Sequence, residues 1–480
     1  MATINKISVR EEVDRLKQQF SQLKETSQVS PEIRLLFESL LVIVEVILSV
    51  FMEKTTRKNN NNSSLPSSQT EKDETAKPTT SSKGKGKKVS GEVGNTRTIE
   101  TVTAAKAETC DACGVSLDNV PCHRHERRTK IDIIFEQVVE HVDAEIKQCP
   151  NCAATVKGHF PPDMPGTLQY GNGLKAFAIH LIISQMVALN RVQSQIAAMI
   201  GRVVAEASLL KFVLRLHLAL EPWEARAIGT LLQAPSLHVD ETSFRVDRKN
   251  YWIHVHSAGG TTLKLLHRKR GNEAIVGINI IPRYGGVLIH DCWASYLSYD
   301  HCRHGLCGSH LLRELVFIID SNHYRWARNM KKLLQETSRQ VAKRPEKCLA
   351  EQEYASLQKR YRNILTRGSR EMPVIPEKPK GKRGKMAKSD AHNLWERLQK
   401  YEAAVLLFAK DPHVPFTNNR AERDLRMAKV KQKISGCFRR IQYAQAYCRI
   451  SSYLQTMASQ GINPLVAIQM ALAGTTTDIE

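Results

Sequence analysis

Residues Leu237–Val246 read LHVDETSFRV, and the chain beyond them repeats the habit in YWIHVHS from Tyr251 and TLKLLHR from Thr262. β-Branched and aromatic residues dominate all three runs and short polar turns separate them, so an antiparallel meander is expected beyond Pro235. The pattern then changes. GNEAIVGINII from Gly271 has a helical period, GGVLIHDC from Gly285 is an apolar run suited to a buried strand, and HLLRELVFIID from His310 is helical again. A meander followed by alternating helices and strands implies a mixed central sheet flanked by helices, an α+β class.

Within this frame two aspartates stand out. Asp240 interrupts an apolar strand between Val239 and Glu241, and Asp291 ends the strand VLIHD. An ionised carboxylate in such a place is costly unless it meets a cation or faces a cleft, and functional groups gather at strand carboxyl ends. A third carboxylate, Glu422, opens a predicted helix in NNRAERDLR. Three converging carboxylates repel one another unless divalent cations neutralise them. Two Mg²⁺ ions about 4 Å apart suit in-line phosphoryl displacement. Singly, each also reads as a cap, a turn residue or an ion-pair partner, and Glu241, Asp300, Glu314 and Asp424 are alternatives that spacing alone leaves open.

Around Glu422 the chain is densely basic. Arg420, Arg423, Arg426, Lys429, Lys431, Lys433, Arg439 and Arg440 crowd one segment, a pattern suited to holding phosphates beside a metal-binding carboxylate. The whole chain of 480 residues carries a formal charge of +22, which points to a polyanionic partner. Its 42% hydrophobic content excludes wholesale disorder.

Working outward, residues 235–330 form the first part of a catalytic domain, 331–409 a charged helical insertion broken by the Pro/Lys-rich stretch 373–388, and 410–480 the remainder with Glu422 and C-terminal helices. Upstream, 158–234 is helical, and Val192 to Leu220 reads as helix, Gly201 turn, helix. This helix-turn-helix-like pattern carries few basic residues, and two apolar helices joined by Gly are more often plain core.

Residues 110–157 hold two C-x-x-C pairs, Cys110 with Cys113 and Cys149 with Cys152. Four thiolates at that spacing suit a closed tetrahedral Zn²⁺ site. The long intervening loop leaves room for Cys122, His123 or His125 to replace one ligand. Eleven irregularly placed cysteines do not make a secreted disulfide scaffold, and no secretory signal pattern is evident at the start, so a reducing, cytoplasmic compartment is expected.

Residues 55–109 lose apolar periodicity and include KGKGKK from Lys83 to Lys88, which reads as a disordered basic linker. In 1–54 the apolar stretch Leu35 to Met52 is interrupted by Glu38 and Glu45, which argues against a membrane span and for a coiled-coil oligomerisation helix. A helix folded back onto the main body fits the pattern as well.

The strings HVDETSFRV, GVLIHDCWASY, CGSHLLREL and NNRAERDLRMAKVKQKISGCFR resemble, in the same order, those of the insertion-sequence sixty-six family of bacterial transposases. The resemblance extends over most of the chain. It implies a ribonuclease-H-like catalytic domain with an Asp-Asp-Glu triad at Asp240, Asp291 and Glu422, and a helical insertion before the glutamate. It also implies that Cys307 and His310 belong to a motif that buttresses the site. The activity it implies is metal-dependent cleavage at insertion-element ends and strand transfer into target DNA, with Mg²⁺ or Mn²⁺. The implied setting is a homo-oligomer at the bacterial nucleoid, with element-encoded accessory proteins as further partners. Two other readings remain open: a zinc-dependent DNA-binding regulator without catalysis, and a metal-dependent nuclease lacking strand transfer.

Overall fold

The computed structural model describes residues 6–25, 30–56, 58–59, 61–63, 102–103, 105–133, 136–375 and 388–475. The basic run Lys83–Lys88, most of the proposed linker and residues 376–387 of the Pro/Lys-rich stretch lie outside them.

The elements, in chain order, begin with helices α1 (Lys6–Glu25) and α2 (Pro31–Thr55) and a hairpin of β1 (Ile146–Gln148) and β2 (Thr155–Lys157). Helices α3 (Asn172–Ile179), α4 (Leu189–Ile200), α5 (Glu206–Ala219) and α6 (Glu221–Gln233) follow. Next come strands β3 (Ser236–Val246), β4 (Lys249–Ala258) and β5 (Thr261–His267), helix α7 (Asn272–Ile278), β6 (Val287–His290), α8 (Ala294–Leu297) and β7 (Arg303–Leu306). The rest is helical: α9 (Gly308–Asn322), α10 (Arg325–Lys343), α11 (Glu351–Glu371), α12 (Asp390–Lys400), α13 (Glu402–Lys410), α14 (Asn419–Ser435), α15 (Ile441–Ser459) and α16 (Pro464–Leu472). The chain divides into two units, Met1–Lys87 with Arg226–Lys433, and Lys88–Ala225 with Ile434–Glu480.

The first unit is built on a five-stranded sheet of order β5-β4-β3-β6-β7. The meander β3-β4-β5 is antiparallel, while β6 pairs parallel to β3 and β7 parallel to β6. β7 has no counterpart among the sequence expectations. Its residues RHGL lack β-branching, and only pairing with β6 makes them a strand.

Helices α9 to α13, which include the stretch 331–409, pack onto the sheet. Trp326, Met330 and Leu334 of α10, Tyr361 of α11, Leu394 of α12 and Leu406 of α13 share one buried core with Val287 and Ile289 of β6 and Leu306 of β7. The long gap before α14 is therefore filled by a helical layer that is continuous with one edge of the sheet.

Helix α2 belongs to this unit. Its Glu53 carboxylate accepts the backbone N–H groups of Asp390 (2.6 Å) and Ala391 (3.0 Å), capping α12, and a third bond from Asn322 Nδ2 (3.0 Å). A carboxylate placed on a helix N-terminus is favoured by the macrodipole as well as by the bonds. Upstream, Phe20 stacks on Phe37 (4.8 Å between centroids) and Lys17 pairs with Glu45, so α1 and α2 form a hairpin. Among the described residues α2 is the one helix long and apolar enough to cross a membrane, and Leu35, Leu36, Leu40, Ile43 and Ile47 are exposed on it.

In the second unit α3, α5, α15 and α16 pack together. Trp223 meets Tyr453 edge-on at 5.2 Å, and the Tyr453 hydroxyl donates to the Ala467 carbonyl (2.9 Å), joining α15 to α16. The last two helices thus pack with the helical region. Their apolar faces meet α3 and α5. The α4–α5 pair is the helix-turn-helix candidate. Gly201 ends α4 at φ +66° and Gln193 Nε2 donates to the Val204 carbonyl (2.9 Å).

Candidate metal and nucleic-acid site

Asp240 lies in the centre of β3, two residues beyond the His238–Ile289 pair, and Asp291 directly follows β6. Parallel pairing of these neighbouring strands brings the two aspartates to the same end of the sheet. Glu422 comes from the first turn of α14. Burial pushes the Asp240 carboxyl well above the usual carboxylate range, and the charges of Glu241, Asp291 and Glu422 push it further in the same direction. Local bonds orient the pair: Asp240 Oδ1 accepts from the Glu241 N–H (2.8 Å) and Asp291 Oδ1 from the Trp293 N–H (3.3 Å).

The alternative carboxylates have other work. Glu241 points to the opposite face of β3, where its oxygens accept from Tyr296 Oη (2.6 Å) and Arg270 Nε (2.8 Å). Asp424 is buried and accepts from Ser257 Oγ (2.6 Å) and Thr262 Oγ1 (3.0 Å), which ties α14 to β4 and β5. Glu314 pairs with Arg397, and Asp300 is exposed. Anchoring through Asp424 rotates Glu422, two residues earlier on the helix, away from the sheet bonds, and its carboxylate lies beside His310 and Arg313.

Asn418, which the sequence reading did not single out, links the three elements. Its Oδ1 accepts from His238 Nδ1 (2.8 Å), and its Nδ2 donates to the Val239 carbonyl (2.8 Å) beside Asp240. The Asn418 backbone N–H donates to Cys307 Sγ (3.1 Å), and its carbonyl accepts from the Glu422 N–H (3.4 Å). In the sequence it looks like an ordinary residue before a helix. Only the fold shows that β3, the start of α9 and the start of α14 meet on it. The same closeness explains Gly308, since a Cβ there would run into the Phe416 ring.

Cys307 and His310 lie on the Glu422 side of the site. His310 Nδ1 is 3.5 Å from Glu422 Oε1, and Arg313 Nη2 is 3.8 Å from the same oxygen. Burial and Arg313 lower the imidazole's pKa. A second unforeseen feature flanks Asp291: the Arg270 guanidinium sits over the rings of Trp252 (5.0 Å) and Trp293 (4.5 Å), with its side chain partly exposed. The run HRKRG carries no signal that distinguishes Arg270 from its basic neighbours.

Of the basic cluster, Arg423, Arg426, Lys429, Lys433, Arg439 and Arg440 are exposed. Glu422, Arg426, Lys429 and Lys433 follow i, i+4, i+7, i+11 spacing, so a cationic stripe runs along α14 from the glutamate. Two of the expected contacts behave differently. Lys431 is buried on the opposite side of the helix, and Arg420 is turned inward, donating to the Thr261 carbonyl (3.2 Å).

The C-x-x-C pairs form two turns of one design. Cys110 N–H bonds the Val115 carbonyl and Gly114 N–H bonds the Cys110 carbonyl; Cys149 with Ala154 and Ala153 with Cys149 repeat this. Gly114 (φ +72°) and Ala153 (φ +56°) take the left-handed conformation that each turn requires. Backbone N–H groups within each turn lower the pKa of the Cys110 and Cys149 thiols. The four sulfurs do not lie together as a group, and no described residue from 102 to 170 is buried. All eleven cysteines are free.

A family model described as Transposase IS66 family matches residues 167–446, more than half of the chain and a span that includes Asp240, Asp291, Asn418 and Glu422. No curated protein matches the chain.

Proposed function

Since the chain belongs to the IS66 family of transposases, we propose that it cuts the strands at the ends of an insertion element and joins them to target DNA, using Asp240, Asp291 and Glu422 as its catalytic carboxylates. The observation that carries this reading is the placement of Asp240 on β3 and Asp291 just after β6 at the same end of two parallel-paired strands, with the Asp240 carboxyl pushed up by burial and then by the charges of Glu241, Asp291 and Glu422. Hard oxygen donors held against their own repulsion fit a divalent cation, Mg²⁺ or Mn²⁺, whose binding would offset it. Such a cation supplies Lewis-acid activation of attacking and leaving oxygens in phosphoryl transfer.

The chain's own residues do the positioning. Asp240 and Asp291 are fixed by adjacent parallel strands. Glu422 is set by the α14 N-terminus, whose dipole favours its charge. Arg426, Lys429 and Lys433 continue from Glu422 along one helix face and suit the phosphates flanking the scissile bond. The order β5-β4-β3-β6-β7, with a meander and two parallel strands, supports the ribonuclease-H-like reading. The repeated turns at Cys110 and Cys149, in a region with almost nothing buried, support a structural Zn²⁺. The exposed apolar stripe of α2 supports self-association through the α1–α2 hairpin rather than a membrane span, because Glu53 ties the helix end to α12. Nucleoid localisation and accessory proteins belong to the same proposal.

The deciding assay incubates the chain with DNA carrying the element ends, with Mg²⁺ or Mn²⁺ and with chelator. Cleaved and joined products are expected only with metal. Asp240→Asn and Glu422→Gln should abolish both products while DNA binding is retained. Cleavage that survives Asp240→Asn refutes the site, and cleavage of intact ends with no joined product from pre-nicked ends indicates a nuclease.

A further inference from the structure

Cys307 Sγ, a ring nitrogen of His310 and a carboxylate oxygen of Glu422 lie within 4.8 Å of one another, and no other such group of three occurs among the described residues. His310 Nδ1 and Glu422 Oε1 are both buried and have no hydrogen-bond partner. Their separation of 3.5 Å exceeds the usual N–H···O range. Two donors bound to one ion at about 2.1 Å, at a tetrahedral angle, stand about 3.4 Å apart. The gap that is too long for a good hydrogen bond thus matches the spacing of two ligands on a shared ion.

The donor set separates this position from the oxygen cluster. A thiolate, an imidazole and a carboxylate form a borderline-soft set of the kind Zn²⁺ takes, whereas Mg²⁺ prefers oxygens alone and keeps several waters. The fold supplies the rigidity. Cys307 is held between β7 and α9 and accepts the Asn418 N–H, His310 follows three residues later on α9, and Glu422 begins α14. Charges of both signs surround the group: Arg313 Nη2 stands 3.8 Å from Glu422 Oε1, while Asp291 and Glu314 act on His310 with the opposite sign. Two anionic ligands complete the compensation once the thiol has given up its proton to solvent on binding.

We propose that Cys307, His310 and Glu422 form a binding site for a borderline-soft divalent transition ion of the Zn²⁺ class, sharing Glu422 with the oxygen site of Asp240 and Asp291. Binding at these three residues is independent of the catalytic reading. Inhibition through Glu422 rests on it: an ion held by Cys307 and His310 draws the carboxylate away from the aspartates, so micromolar Zn²⁺ should suppress Mg²⁺-supported cleavage, and Cys307→Ser should relieve that suppression.

The test uses the full chain stripped of metal and titrated with Co²⁺, followed by equilibrium dialysis and by the thiolate-to-cobalt charge-transfer band. The cysteine pairs Cys110/Cys113 and Cys149/Cys152 also take Co²⁺, so the reading is a difference between variants. Cys307→Ser and His310→Ala are each expected to bind one equivalent fewer than the parent, with a weaker band for Cys307→Ser, and Glu422→Gln to bind that equivalent at least tenfold more weakly. Asp240→Asn should keep it. Thermal melting of each variant identifies any that fails to fold, and His310→Gln then replaces His310→Ala. Equal stoichiometry and an unchanged band in folded Cys307→Ser overturn the proposal, as does a weakened thiolate-to-cobalt band in Asp240→Asn. Loss of cleavage in Asp240→Asn is read separately, so failure of the catalytic reading and failure of this site give different results.

Discussion

Replacing Asn418 by alanine deletes both side-chain bonds that fasten α14 to β3, the one from His238 Nδ1 and the one to the Val239 carbonyl, each 2.8 Å long. The residue is 2% exposed, so water does not take over. A buried polar group left unpaired costs about 1–3 kcal/mol. The Val239 carbonyl keeps a second acceptor site, which puts its cost at the lower end. The expected loss is about 2–4 kcal/mol of unfolding free energy, read as a lowered urea midpoint at unchanged slope. The loss is also directional. Val239 precedes Asp240, and the Asn418 carbonyl receives the Glu422 N–H, so freeing this residue loosens the spacing between the first and third carboxylates. The metal concentration giving half-maximal cleavage should rise by about tenfold, as expected when a residue orienting metal ligands is lost, with DNA affinity preserved. Asn418→Asp, which keeps the shape and the His238 bond but cannot donate to Val239 when ionised, should fall between alanine and the parent. A destabilisation below about 0.5 kcal/mol, the scale of ordinary surface changes, would refute the clamp. A full destabilisation with an unchanged metal requirement would show that Asn418 supports the fold without positioning the site.

Three further outcomes are expected. Burial lowers the pKa of His254 to about 4 and of His256 and His290 to about 3, against an unfolded value of 6.5. The unfolded chain therefore binds more protons below pH 6.5, and stability falls as pH drops toward the folded values. The three histidines alone lose about 3 kcal/mol between pH 6 and 5, and Asp240 and Glu241, shifted upward, offset part of it; urea midpoints that stay flat across that interval would contradict it. Arg449 makes two 2.9 Å bonds to the Glu224 carboxylate and one to the His217 carbonyl, joining α15 to α5 and α6. Arg449→Met should destabilise the second unit by about 2–4 kcal/mol, because Glu224 is left partly buried without its partner, and limited proteolysis at residues 434–475 is the readout. Finally, zinc assayed on the purified chain should exceed one equivalent when the module and the Cys307 site are both loaded. Cys149→Ser should expose residues 105–166 to proteolysis while leaving the first unit's melting unchanged; equal protection with and without chelator would count against a metal-held module.

The meander, the following helix and the β6 strand are all legible in the sequence, because alternation of apolar and polar residues is a local property that survives without knowledge of partners. β7 is not legible. RHGL becomes a strand only because β6 offers it a ladder, and a run of four residues with an arginine and a glycine has no propensity to announce it. The helices between Arg325 and Lys410 read as charged and inserted, since their exposed faces dominate the composition. Their buried faces complete the core that underlies β6 and β7.

For the site, the sequence by itself determined the chemical inventory: carboxylates in an apolar strand, at a strand end and at a helix start, a basic helix, and two cysteine pairs. Those are consequences of residue type and local pattern. Tertiary contacts alone separate these carboxylates, since Glu241 and Asp424 are as suitable by spacing as Asp240 and Glu422 until hydrogen bonds to Arg270, Tyr296, Ser257 and Thr262 engage them elsewhere. Tertiary structure also decided that Lys431 faces inward, that Asn418 joins three elements, and that a thiol and an imidazole stand beside Glu422. The contacts of Asn418, Glu422 and Asp424 with β3, β4, β5 and α9 span more than a hundred residues of chain, and the energies that select them, desolvation and the pairing of buried polar groups, exist only once the intervening sheet and helices have brought the partners together.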